Sequence, residues 1–168
     1  MGIQIRPATD SDIAELARMV GEMAAYHESI DDRVRFDWKE IRDADRWLKL
    51  VLGRDHHAVW VADHGDGILV GYLWVHLRRL REGYQPPVVG YISHAFLEEH
   101  WRGKGLMRQM LDIAYDWFRA KGMTVVTLDV NHRNWSGSAA WYRFGFQDWS
   151  HERRLELKPQ PSGNEPGS

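Results

Sequence analysis

The run Arg102-Gly103-Lys104-Gly105-Leu106-Met107 joins a strand-like stretch to a helix-like one, and this junction constrains the fold more than any other feature of the chain. Upstream, residues 88–97 are rich in β-branched and aromatic side chains. Downstream, Leu106, Met110, Leu111, Ala114, Trp117 and Phe118 recur at helical spacing. A glycine-containing loop that opens a helix points several backbone N–H groups outward, and the helix dipole adds about half a unit of positive charge there. Arg102 and Lys104 add whole charges. The combination makes an anion site, with a phosphate as the expected occupant. The alternative is a plain strand-to-helix loop whose glycines only ease the turn.

The flanking pattern extends this unit into a fold. Ile3 and Ile5 alternate with polar residues as a short strand stopped by Pro7. Thr9-x-x-Asp12 resembles a capping box, and Ile13, Leu16, Ala17, Val20, Met23 and Ala24 form an apolar stripe behind it, predicting a helix to about Tyr26. Asp37-x-x-Glu40 offers a second cap for one helix marked by Trp38, Ile41, Leu48, Val51 and Leu52. Residues 58–62 and 68–77 read as two strands of a hairpin, and 88–97 as a fourth. The helix after the glycine loop stops at Lys121-Gly122, and 123–130 is an almost continuous apolar run suited to a central strand. Residues 135–144 predict a short helix closed by Gly145, and 146–157 one last strand. The expected fold class is α/β, with a mixed, mostly antiparallel central sheet flanked by helices on both faces in the order β-α-α-β-β-β-α-β-α-β. A ligand crevice is expected where the fourth strand meets the third helix.

At 168 residues the chain fits one domain, expected over residues 1–158, followed by a Pro/Gly/Ser tail over 159–168 expected to be disordered. The formal net charge of −2 argues against a nucleic-acid binder held by bulk electrostatics. With no cysteine there is no thiolate metal site and no cysteine nucleophile. The nine histidines lack ligand spacing apart from the adjacent pair His56-His57, so no metal is expected. No signal-peptide core and no run of membrane-spanning length is evident, making a cytoplasmic protein away from membranes the expectation.

Three passages taken in order resemble the GNAT superfamily of acyl-CoA-dependent N-acetyltransferases: Arg102-Gly103-Lys104-Gly105-Leu106-Met107, Leu128-Asp129-Val130-Asn131-His132-Arg133-Asn134, and Gly145-Phe146. The resemblance implies acetyl-CoA as acyl donor, with its pyrophosphate at Arg102, Gly103, Lys104, Gly105, Met107 and Arg108. It places the family's strand bulge at Ala95, Phe96 and Leu97, where free backbone groups would pair with pantetheine and polarise the thioester carbonyl. Asn134 would contact the pantetheine arm; capping the following helix is the other role open to it. Two departures stand out. Met107 occupies a position where the family prefers Gly or Ala. Counting back from Gly145, the family's catalytic Tyr position holds Trp141, with Tyr142 one residue later. One helical residue is about 100° of rotation, enough to aim a phenol elsewhere.

The expected reaction is acetyl transfer to a primary amine by direct attack in a ternary complex, with a non-catalytic acyl-CoA-binding sensor as the alternative. A nucleotide phosphotransferase is disfavoured because the full Gly-x-x-x-x-Gly-Lys-Ser/Thr loop is absent. Tyr91 and Ser93 are candidates to anchor a water wire that takes the amine proton, and Tyr142 is the candidate acid. Strand alternation puts Tyr91 and Ser93 on one face and His94 on the other. The resemblance puts the acceptor beside the first two helices, near Tyr26, His27 and Glu28, with Trp141 as an apolar wall and an acidic rim from Glu28, Asp31 and Asp32. It implies a small-molecule or peptide amine as partner and allows a homodimer.

Overall fold

A computed structural model describes residues 2–65 and 67–157. Its strands are β1 (Gln4–Pro7), β2 (His57–Asp63), β3 (Leu69–Arg79), β4 (Val88–Leu97) and β5 (Val126–Leu128). Its helices are α1 (Ile13–Ile30), α2 (Trp38–Arg42), α3 (Ala44–Leu52), α4 (Leu106–Ala120) and α5 (Trp135–Arg143). The strands form one sheet in the order β1-β2-β3-β4-β5, antiparallel up to β4 and parallel between β4 and β5. The α/β class, the mixed sheet and the helices on both faces stand as expected.

Alternation along the strands builds two cores. Trp60 and Ala62 of β2, Leu73 and Val75 of β3 and Ile92 of β4 pack against Leu106, Met110, Leu111, Ala114 and Phe118 of α4. On the opposite face, Val59, Val61, Tyr72 and Phe96 meet Leu16, Met19 and Val20 of α1 and Ala44, Leu48 and Val51 of α3. Gly90 lets α4 come close, because a Cβ there would lie 2.6 Å from the Phe118 ring. Asp12 accepts from the Thr9 N–H at 2.7 Å at the start of α1, and Asp37 accepts from the Lys39 and Glu40 amides at the start of α2.

Four expectations are corrected. The first helix runs four residues past Tyr26. The single second helix divides at Asp43, whose backbone leaves helical geometry. The apolar run 123–130 pairs only over Val126–Leu128. Residues 146–157 form no strand; Phe146 packs beneath α5, Trp149 meets Tyr84, and Leu155 and Leu157 are exposed, so their alternation has no neighbouring strand to pair with. The tail expected over 159–168 lies outside the described residues.

Candidate active site

The glycine loop leaves β4 through a 3-10 turn over Glu99–Trp101. Arg102 then reaches back, its Nε donating to the Leu97 carbonyl at 2.8 Å, and so fixes the loop to the strand end. Gly103 (φ 73°) and Gly105 (φ 78°) take left-handed geometry that favours glycine. Lys104 lies over the Trp101 ring, 4.9 Å from its centre. The first amide of the α4 ladder is that of Gln109, which donates to the Gly105 carbonyl at 3.2 Å. The amides of Leu106, Met107 and Arg108 therefore point out of the helix mouth. Met107 tucks its side chain against the α4-face core, leaving the mouth to its backbone. Arg108 covers the Phe144 ring at 4.8 Å and donates to the Arg143 carbonyl at 3.3 Å, tying α4 to α5.

Beside this mouth the sheet opens. β5 pairs β4 only over residues 90–92. Just beyond, the β3–β4 register slips, with Val75 opposite Ile92 but Trp74 opposite His94, so Ser93 is an extra residue in β4. The bulge thus falls at Ser93, not over residues 95–97. Glu98 donates to the Val70 carbonyl on β3. Backbone groups alternate sides along a strand, so Ala95 and Leu97 direct theirs to the open edge, where the Leu97 carbonyl receives Arg102.

The bulge also overturns the facing read from alternation. It brings Tyr91, Ser93 and His94 to the α1/α3 face together. Ser93 Oγ lies 2.7 Å from His76 Nδ1, and the His76 ring is 5.1 Å from that of Tyr91. His94 Nδ1 lies 2.9 Å from the Tyr72 hydroxyl, and its ring meets Trp74 edge-on at 4.7 Å. Burial pushes the His94 imidazole down to about 4, with His27 and His76 adding to the effect, so it is neutral near pH 7. Burial also lowers His76. Tyr91 donates to Asp129 at 2.7 Å beneath the Arg78 guanidinium, and burial, reinforced by Asp129, pushes its phenol up to about 12. Its phenol is therefore neutral near pH 7 and not a base.

A cavity of about 240 Å3 opens on this face between α1, Phe36, α2, Trp47 and the sheet, with Trp74 and His94 among its walls. Tyr26 bridges α1 to α5, its hydroxyl 3.2 Å from Asn134 Oδ1 and 3.3 Å from Ser136 Oγ. Asn134 caps α5 through the Gly137 amide at 3.0 Å. His27 is half-buried and its pKa lowered by burial. Among the described residues, no three of His, Asp and Glu assemble as metal ligands, and no helix is long and apolar enough to cross a membrane.

The sequence profile of the acetyltransferase (GNAT) family matches residues 22–146, which holds the glycine loop, the bulged strand and α5. The chain belongs to that family. It is 25% identical to an aminoglycoside N(6')-acetyltransferase of Stenotrophomonas maltophilia over 74% of this chain and 82% of the relative. In fold it resembles a variant of the BH1408 protein of Bacillus halodurans, at TM-score 0.80 and 23% identity over 92% of this chain and 99% of that one. It also resembles a predicted acetyltransferase of Clostridium acetobutylicum solved with acetyl-CoA, at TM-score 0.71 and 19% identity over 92% of this chain and 96% of the other.

Against this family frame the remaining expected residues separate. Tyr142 is exposed and gives its hydroxyl to Asp148 at 2.6 Å, which raises its pKa and engages the phenol in a surface hydrogen bond. Trp141 packs edge-on against Phe144 and Phe146 under α5 and does not line the cavity beside His94. The acidic rim is already engaged. Glu28 accepts from the Phe36 amide and Trp38 Nε1. Asp31 is buried and held well below the usual carboxylate range by Arg33, with Asn131 adding, and Arg133 bonds Asp32 at 2.9 Å. His76, Tyr72 and Trp47 join the site only through the fold. The alternation Tyr72-x-Trp74-x-His76 within β3 was the available signal for the first two.

Proposed function

We propose that the chain transfers an acetyl group from acetyl-CoA to a primary amine by direct attack within a ternary complex. The observation that carries this reading is the continuity from the open amides of α4 to the free edge of β4, locked by the Arg102–Leu97 hydrogen bond. The α4 amides suit a pyrophosphate, with Lys104 and Arg108 adding positive charge. The backbone of Ala95 and Leu97 suits the amides of a pantetheine arm laid along the strand as an added neighbour. An Ala95 N–H aimed at the thioester oxygen stabilises the charge that develops there, a contribution of about 3 kcal/mol for a donor of this kind.

As the amine nitrogen bonds the carbonyl carbon, the carbon–sulfur bond breaks and the nitrogen must lose a proton. The Ser93–His76 pair and neutral His94 stand on the face from which the amine approaches, and either supports proton removal through water. The departing thiolate takes its proton from solvent, since Tyr142 is committed to Asp148. With no cysteine in the chain, no cysteinyl acyl intermediate forms. That same Tyr142 orientation favours the second reading, an acyl-CoA-binding module without turnover. Thiol release from acetyl-CoA across a panel of amines separates them: release dependent on an amine supports the enzyme, and tight CoA binding with no release on any amine supports the sensor.

A further inference from the structure

The cavity beside His94 bears on which amine the proposed reaction accepts, an inference that rests on the acetyl-transfer reading. His94 is followed directly by Ala95, whose backbone faces the open strand edge, so an amine in this cavity lies next to the acyl position. Met23 and Ala24 of α1 form one wall and Phe36 lies near the mouth, with Trp47 and Trp74 completing the enclosure. Apart from His94, the polar atoms among its lining side chains are the two indole N–H groups, and that of Trp74 is given to His57 Nδ1 at 3.0 Å.

Three features argue against a cationic or polyhydroxylated occupant. No carboxylate lines the cavity among the described residues. Glu28 near the end of α1 and Asp31 and Asp32 in the α1–α2 linker already hold N–H donors or cations. Trp74 stacks with Trp47 at 5.5 Å and gives its indole N–H to His57, which takes one ring face and the polar edge from an incoming ammonium group. An ammonium brought here loses its hydration and gains no counter-charge, and each sugar hydroxyl would lie against carbon without a partner. An apolar body, by contrast, leaves water for a matching surface.

We propose that the acceptor is a small primary amine with an aromatic or branched apolar body. The body fills the space between α1 and the two indoles, and the uncharged nitrogen hydrogen-bonds to His94. Aminoglycosides, the substrates named for the Stenotrophomonas maltophilia relative, are then poor acceptors.

The test is thiol release at saturating acetyl-CoA with 2-phenylethylamine, 3-methylbutylamine, spermidine and kanamycin. The expected result is a kcat/KM for 2-phenylethylamine at least 100-fold above that for kanamycin. Ala24→Phe, which fills the cavity from α1, is expected to raise the KM for 2-phenylethylamine at least tenfold with the CoA dissociation constant unchanged. Phe36→Ala, at the exposed mouth, is expected to raise it about fivefold and guards against a misfolded helix variant. Kanamycin or spermidine turning over as well as 2-phenylethylamine overturns the inference and leaves acetyl transfer standing; so does an unchanged KM in folded Ala24→Phe. If no amine releases thiol, the catalytic reading fails. Calorimetry on the CoA complex then decides the cavity: 2-phenylethylamine bound by the parent chain and about fivefold more weakly by Phe36→Ala upholds it, and no binding by the parent chain, or equal binding by the two, overturns it.

Discussion

The two halves of the proposed cleft, one for the acyl donor and one for the amine, are built from different materials. The donor half is made of backbone: the open amides at the mouth of α4, two left-handed glycines and the unpaired edge of β4. Its side chains mostly brace it, with Arg102 tied to Leu97, Met107 half-buried against the core and Arg108 stacked on Phe144. The acceptor half is made of side chains, with Trp47, Trp74, Phe36 and His94 setting shape and polarity. A backbone site tolerates many residues but not changes in conformation or charge. A side-chain site tolerates neither loss of volume nor new polarity. Substitutions in the two halves should therefore fail in different ways.

The largest expected effect is in the donor half. Gly105→Asp keeps a residue that visits left-handed geometry but sets a carboxylate where the pyrophosphate is proposed to bind. The CoA dissociation constant is expected to rise about 100-fold, a factor of ten per 1.4 kcal/mol. Titration calorimetry measures it, and an unchanged affinity would remove the anion-site assignment. Gly90→Ala acts on the same half from behind. Its new Cβ meets the Phe118 ring at 2.6 Å, so α4 must move off the sheet or the ring must leave its rotamer. Overpacking of this kind costs about 1–3 kcal/mol. A lowered melting temperature together with weaker CoA binding is expected, whereas a drop in stability alone would show that the mouth of α4 is positioned independently of Phe118.

These contrasts also explain what could be read from sequence. Loop chemistry and helix periodicity are local, so the Arg102–Met107 junction, the caps at Asp12 and Asp37 and the stripe of α4 were legible. The register slip at Ser93 was not, because one inserted residue changes no composition and reverses the facing of everything after it. His94 accordingly moved to the face of Tyr91, and the bulge lay earlier than the resemblance implied. Residues 146–157 alternate like a strand, but alternation does not supply a partner edge. The acidic rim was legible as charge and illegible as pairing: Asp31 and Asp32 meet Asn131 and Arg133 about a hundred positions away in the chain.

The acceptor half predicts a pH signature that the donor half does not. Burial holds His94 at about 4, below its ordinary value near 6.5. Between those values the unfolded chain carries the extra proton, so stability rises with pH across that window and the benefit is complete above about 6.5. His57, pushed down to about 4 first by burial and then by His56 and His76, adds in the same direction. Replacing His94 with Gln should flatten part of the slope of melting temperature against pH between 4 and 6.5, leaving the share of His57 and of His27 and His76, which burial also lowers. An identical slope in parent and variant would mean that His94 is solvated in the folded chain.

The smallest expected effect is the most discriminating for the chemistry. Tyr142 is half-exposed and its hydroxyl is directed to Asp148. If the leaving thiolate is protonated from solvent, Tyr142→Phe removes a surface hydrogen bond and leaves kcat within about twofold, since surface changes of this kind fall within about ±0.5 kcal/mol. A general acid contributes about 100- to 10,000-fold. A collapse of kcat with CoA affinity intact would therefore mean that α5 rotates by one residue position when substrates bind, bringing the phenol to the sulfur and turning Trp141 out of the core.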